Sequence, residues 1–271
     1  MMLVNGAPVA TIPASDRGLA YGDGVFRTLR VVNGNPLHWA RHYAKLDHDC
    51  KRLVISCPEE ALLLAEIRAV SLAYPQAAVK VIVTRGSGTR GYALPDSQMP
   101  LRVVVSSSEP ARLNSGAGIQ IHLCRLRLAH QPALAGVKHL NRLENVLARS
   151  EWSEPEIHEG LLLDPDGNAI GGTMCNLFIV ENGRLSTPDM SRAGVAGVTR
   201  ERVMDVARKL GIVCHIENLS LQRLLDAQEL FFVNSLVGLW SVTKMDSRNW
   251  RVGQVSAEVR RALEAEDAAL A

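Results

Sequence analysis

The chain has no paired cysteines, no surplus of one charge and no apolar run of membrane length, and each absence closes a class of function. Its cysteines, Cys50, Cys57, Cys124, Cys175 and Cys214, are five in number, scattered, and never spaced C-x-x-C. That pattern supports no disulfide framework; it reads as reduced, mostly buried thiols in a cytoplasmic protein. A formal net charge of +2, with no block of like charges, provides no footprint for nucleic acid or an anionic membrane. The apolar stretch "ALLLAEIRAVSLAY" is broken by Glu66 and Arg68 short of a bilayer span. The opening "MMLVNGAPVATIPASDRG" lacks a basic head followed by an apolar run, so no signal peptide is expected. What is present is 271 residues, 47% of them apolar, enough to bury the core of one large domain or two smaller ones.

Periodicity outlines the elements. "MLVNG" and "APVATIP" read as two strands around an Asn-Gly turn, and "DRGLAYGDGVFRTLRVVNG" as a strand from about Val25 to Val32 between glycine-rich bends. Trp39 to Val54 is helical by period, with Leu46, Cys50 and Leu53 on one side, and Glu59 to Tyr74 forms a second amphipathic helix. "AAVKVIVTRG", "LRVVVSSSE" and "IQIHLCRLRL" are strands, and the small, polar "PARLNSGAG" between the last two is the linker candidate. "EGLLLDPDGNAIGGTMCNLFIVENGRLSTP" is a β meander, followed by a helix in "GVTRERVMDVARKLGI", a buried strand in "ELFFVNS" and a terminal helix.

Several motifs fail on context. "GSGTRG" fits G-x-G-x-x-G behind a strand, but a dinucleotide fingerprint opens a helix at its third glycine, and here "YALPDSQMP" follows. His38 and His42 stand i, i+4, yet Trp39 occupies the place where a zinc hydrolase needs glutamate, so no metal site is expected. "DPDGN" carries its glycine too early for a calcium loop.

One constellation survives. In "GVKHLNRLENVLARSE", Lys138 stands where a strand hands over to an amphipathic helix counted from Leu140. Leu143, Val146 and Leu147 form its apolar stripe, with Asn141, Arg142 and Asn145 opposite. Far along the chain, "AGVTRERV" puts Gly197, Val198 and Thr199 at a helix start, where N–H groups and dipole favour a phosphate. "FFVNSLVG" ends a strand in Asn234 and Ser235, small hydrogen-bonding side chains suited to a second phosphate wall. A strand-end lysine and a phosphate-ready helix suggest pyridoxal 5′-phosphate. Any helix start binds phosphate, so a solvated surface lysine stays open on spacing alone.

The segments "SDRGLAYGDGVFRTLRV", "RGSGTRGY", "LAGVKHLNRLENVLARS", "CNLFIV", "AGVTRERV" and "FFVNSLVGLWSV" carry more. In that order, over nearly the whole chain, it resembles the fold-type IV pyridoxal-phosphate enzymes, the D-amino-acid aminotransferase-like proteins. "KHLNRLE" and "RGSGTRGY" make it most similar to the family's pyruvate-releasing lyases of folate synthesis. An aminotransferase for D-amino or branched-chain acids, or a weakly active cofactor-binding paralogue, is the alternative. The resemblance implies an α+β enzyme of two domains with pyridoxal 5′-phosphate between them. The smaller domain would span 1–110, the linker 111–118, and the larger domain 119–271 would carry Lys138 as the Schiff-base lysine. Val198 and Thr199 would hold the phosphate and Asn234 and Ser235 close its cup. A cytoplasmic homodimer and a small substrate with two carboxylates are implied as well.

Cations should line the pocket of such a substrate. Arg90, in "GTRGY", is the first choice and Arg27 a second; Asn141 and Arg142 are expected within reach of the cofactor's ring hydroxyl or the substrate. Two departures from the family stand out. Its phosphate-binding arginine corresponds to Lys45, which keeps the charge and loses the bidentate fork. Its glutamate for the pyridine nitrogen, five residues before Asn176, is replaced by Gly171, so that nitrogen would have to meet a water or a hydroxyl such as Thr173. A lyase with an aromatic product has another driving force and depends less on that carboxylate.

Overall fold

The computed structural model describes residues 1–88, 91–109 and 117–271. They form two compact units: Met1–Pro110 with Val137–Asn141 and Asp267–Ala271, and Ala111–Gly136 with Arg142–Glu266. Most of the expected linker, residues 110–116, lies outside the described residues.

The first unit is a five-stranded antiparallel sheet in the order β1-β5-β4-β2-β3. Its elements are β1 (Met2–Val4), α1 (Arg17–Tyr21), β2 (Gly24–Val32), β3 (Asn35–Pro36), α2 (Trp39–Arg52), α3 (Glu60–Ser71), β4 (Gln76–Thr84) and β5 (Leu101–Ser108). Strand alternation sends Val25, Leu29 and Val31 of β2 into a core with Leu46 of α2 and Leu63 and Ile67 of α3. The strand expected over Ala7–Pro13 does not form beyond a bridge between Val4 and Ala7; Pro8 and Pro13 offer no N–H to a ladder. Nor was α1 expected in a glycine-rich bend. Asp16 caps it by accepting from Gly18 N at 2.8 Å, and Gly22 ends it at φ 67°.

Beyond β3, which meets only Val31 and Val32, β2 has an open edge. Val137–Asn141 fills it: Phe26 N donates to the Lys138 carbonyl at 3.0 Å, and Leu140 N to the Gly24 carbonyl at 2.9 Å. Lys138, expected in the C-terminal domain, therefore belongs to the first unit.

The second unit holds a ten-stranded mixed sheet. Its elements are β6 (Ile119–Arg127), α4 (Leu143–Arg149), β7 (Ile157–Leu163), β8 (Asn168–Gly172), β9 (Asn176–Glu181), β10 (Arg184–Pro188), α5 (Val198–Lys209), β11 (Cys214–Glu217), β12 (Leu219–Ser220), α6 (Leu221–Asp226), β13 (Glu229–Asn234), β14 (Gly238–Met245), β15 (Arg248–Asn249) and α7 (Gln254–Ala268). Strands β9 and β13 are continuously apolar because both faces are covered. Phe178 and Phe231 stack at 5.2 Å under Val203 and Val206 of α5. Leu177 and Phe232 face an opposite core.

Helix α4 differs from expectation twice. It starts at Leu143, so Lys138 precedes it by an extended segment. Its apolar stripe also points outward, with Leu143 75%, Val146 60% and Leu147 57% exposed, while Ala148 is buried. Among the described residues no helix is long and apolar enough to cross a membrane.

Candidate active site

In the first unit the site begins at Lys138. Its carbonyl is held by Phe26 N, and its own N–H donates to Asp49 Oδ2 at 2.9 Å. Asp49 lies on the buried stripe of α2 with Leu46 and Cys50. A carboxylate with no exposure needs a counter-charge, and Arg27, next to Phe26 on β2, donates to the same oxygen and to the Lys45 carbonyl. Alternation puts Phe26 on the other face of β2, and there the Lys138 ammonium sits 4.4 Å from the centre of its ring. The Lys80 ammonium lies 4.7 Å from the same ring.

Arg27, expected to meet a substrate carboxylate, is buried with Asp49 instead. Lys45 is half-buried one turn before Asp49. Asn141 docks on the end of α1, where its amide donates to the Gly22 carbonyl at 3.1 Å. Arg90 lies outside the described residues. The loop on either side of it is tied down: Arg17 donates to the Gly91 carbonyl at 3.0 Å, and Gly86 stands where a Cβ would lie 1.9 Å from the Met99 carbonyl oxygen. No helix follows in the described part of that loop, in keeping with the failed dinucleotide motif. Asp23 joins Arg17 and Arg85 behind it, at 2.9 and 2.7 Å. Burial pulls the Asp23 carboxyl upward, and the hydrogen bonds and charges of Arg85 and Arg17 together outweigh this, leaving it below its ordinary value.

In the second unit the cup forms around the start of α5. Asn176, at the head of β9, accepts from Gly197 N at 3.1 Å and donates to the Val195 carbonyl at 2.7 Å. A Cβ on Gly197 would lie 2.3 Å from that Asn176 oxygen, so only glycine allows the approach. Helical geometry leaves the N–H groups of Val198 and Thr199 without intrahelical partners. The Thr199 hydroxyl lies 3.3 Å from that of Ser235, in the turn after β13. Asn234 shapes this turn, its Oδ1 accepting from Leu236 N and Val237 N at 2.9 Å and its amide donating to Cys175 Sγ. Arg142, half-buried, reaches Asn145 at 3.5 Å, and Asn145 donates to the Thr173 carbonyl at 2.9 Å.

Gly171 is buried in β8, and a Cβ there would lie 3.0 Å from the Cys175 carbonyl oxygen. On the other face, beside Gly172, the buried Glu159 carboxylate accepts from Thr173 N at 2.8 Å, from the Thr173 hydroxyl and from Met174 N. The Thr173 hydroxyl, considered as a stand-in for the missing glutamate, is thus donated to Glu159 on the face opposite any side chain at 171. Sequence reasoning missed Asp49, Glu159 and the cup role of Asn176. Asp49 had a signal: an acid three residues after Leu46 falls on the apolar side of its helix.

These features belong to one class. Residues 24–245 match the model of the class IV aminotransferase family, and the chain is a member of that family. Members of the family depend on pyridoxal 5′-phosphate. The chain is 34% identical over 245 residues to an aminodeoxychorismate lyase of Vibrio harveyi, covering 90% of each chain. It is 31% identical over 259 residues to a putative branched-chain-amino-acid aminotransferase of Methanocaldococcus jannaschii, covering 93% of this chain and 89% of the relative. The crystal structure of 4-amino-4-deoxychorismate lyase from Pseudomonas aeruginosa superposes with a TM-score of 0.93 at 41% identity, covering 98% of both chains.

Proposed function

We propose that this chain is a 4-amino-4-deoxychorismate lyase, releasing pyruvate and 4-aminobenzoate for folate synthesis, with Lys138 as the residue that carries pyridoxal 5′-phosphate. The observation that carries the reading is Lys138 itself, tied through both backbone groups with its amine presented over an aromatic ring. The 41% identity to a lyase and the glycine at 171 favour elimination over amino transfer.

The residues of the second unit fit the cofactor's phosphate: free first-turn N–H groups at Val198 and Thr199, the hydroxyls of Thr199 and Ser235, and a turn shaped by Asn234. The reading requires that this cup and Lys138 serve one cofactor molecule. Lys45, Asn141 and Arg142 are the further residues that would hold it. Bound, the cofactor supplies a carbonyl that captures amines and a conjugated ring that accepts electrons. Lys138 Nζ takes the proton from the substrate carbon bearing the amino group and returns one to the enolpyruvyl methylene. The ring C–O bond breaks, pyruvate leaves, and the six-membered ring becomes aromatic. The two substrate carboxylates fall to Arg90 and Arg142, since Arg27 is taken up by Asp49.

A cytoplasmic homodimer completes the proposal. The exposed stripe Leu143, Val146 and Leu147 is the kind of surface a second copy covers, and sedimentation that finds only monomers at micromolar concentration would refute it.

The activity test supplies the loaded protein with aminodeoxychorismate and follows 4-aminobenzoate, beside an assay of amino transfer from D-alanine or leucine to 2-oxoglutarate. Faster amino transfer than elimination defeats the lyase reading. Borohydride reduction should trap the cofactor on Lys138, and Lys138→Ala should abolish both adduct and product; an adduct on another lysine makes the assignment wrong.

A further inference from the structure

The segment that presents Lys138 is short. Its pairing with β2 includes hydrogen bonds from Phe26 N to the Lys138 carbonyl and from Leu140 N to the Gly24 carbonyl, and the Asn141 amide adds one to the Gly22 carbonyl. The Lys138 N–H takes none of these; it goes to a side chain, Asp49 Oδ2, from a helix 89 residues earlier in the chain. Asp49 is fully buried and Arg27, its partner, is 3% exposed. Such a pair contributes little to net stability compared with apolar residues of the same shape, so its presence calls for another reason.

β2 supplies that reason. Consecutive residues of one strand do two things on opposite faces: Phe26 receives the Lys138 carbonyl and lies under its amine, while Arg27 reaches into the buried face and holds Asp49. Asp49 in turn grips the Lys138 backbone from the buried side. The lysine is thereby clamped at its backbone.

We infer that Arg27 and Asp49 form a positioning pair for Lys138: Asp49 fixes the backbone of the cofactor lysine, and Arg27 supplies the charge that lets a carboxylate stand there. This rests on the reading of Lys138 as the cofactor residue. Neither Arg27 nor Asp49 touches the reacting atoms in this scheme. Their effect passes through Lys138.

The test compares wild type, Arg27→Met, Asp49→Asn and the double variant. Each is loaded with pyridoxal 5′-phosphate and reduced with borohydride, and the adduct is located by peptide mass. In the same proteins without cofactor, hydrogen exchange is followed in the peptide covering residues 137–141. Each single variant strands a buried charge and should trap cofactor on Lys138 roughly ten- to a hundred-fold less efficiently, with exchange of that peptide accelerated by a similar factor. In the double variant no charge is stranded, and the Asn oxygen can still accept the Lys138 N–H. It should return to within about five-fold of wild type in both readouts. An ordinary core ion pair would not link the exchange of 137–141 to trapping, nor be rescued in both.

Single variants with wild-type exchange and trapping overturn the proposal, as does a double variant no better than the worse single one. If the single variants do not fold, Asp49→Glu keeps the charge and displaces the acceptor, and wild-type exchange at 137–141 in that protein overturns the proposal too. A wild type whose adduct lies on another lysine refutes the reading of the site instead. The exchange measurements on cofactor-free protein still decide whether the pair holds the segment.

Discussion

In the first unit a lysine is held by a buried charge pair, whereas in the second a cup of neutral donors forms at the start of α5. The difference suits the role proposed for each. A residue that bonds covalently and moves protons needs a fixed backbone, and charged hydrogen bonds are the stronger fixings. The cup proposed for a phosphate needs donors left uncommitted; Asn176 and Asn234 shape the backbone around the first turn of α5. Damage to the first half should show in folding, and damage to the second in binding.

The largest expected effect is on the lysine side. Asp49→Ala strands Arg27 and frees the Lys138 N–H, and should cost about 3–5 kcal/mol of stability in the cofactor-free protein, read from denaturant midpoints. A loss under about 1 kcal/mol would erase the contrast between the two halves. On the cup side, Thr199→Val removes one hydroxyl at nearly constant volume. It should weaken cofactor binding by about 1.5–3 kcal/mol, roughly ten- to a hundred-fold in Kd, with an almost unchanged melting temperature for the cofactor-free protein. Equal losses in melting and affinity would show that the hydroxyl is structural. The smallest effect concerns Asp23, held below its ordinary carboxyl value by Arg85 and Arg17 against the pull of burial. A depressed carboxyl contributes stability that is present above its unfolded value, near about 4, and is lost as pH falls through the folded value. Asp23→Asn should therefore be less stable than wild type near neutrality and converge with it as pH falls through the folded value. A stability difference that does not shrink as the solution is acidified would contradict this.

The helices α2, α3, α5 and α7 and most strands were legible because their periods depend on neighbours a few residues apart. The start of α5 was legible as a helix start for the same reason: Gly197, Val198 and Thr199 announce it locally. Helix α4 shows the limit of such patterns. Its apolar stripe is real, but periodicity says only that three residues share a face, not whether that face meets a core or the outside. Arg27 was ambiguous for a related reason, since alternation alone does not say which face of a strand is buried.

By itself, the sequence determined the alternation of β2, the helical stripe that carries Asp49, the glycine-led start of α5 and the absence of a carboxylate at position 171. Each is a matter of residue type and near spacing. Only the tertiary structure decided that Lys138 joins the first unit, that Arg27 turns inward, and that Asp49 takes the lysine's N–H across 89 residues. Those outcomes depend on which strand edge is left open and which carboxylate is shut away from water. Both are settled by the packing of distant segments, which no local pattern encodes.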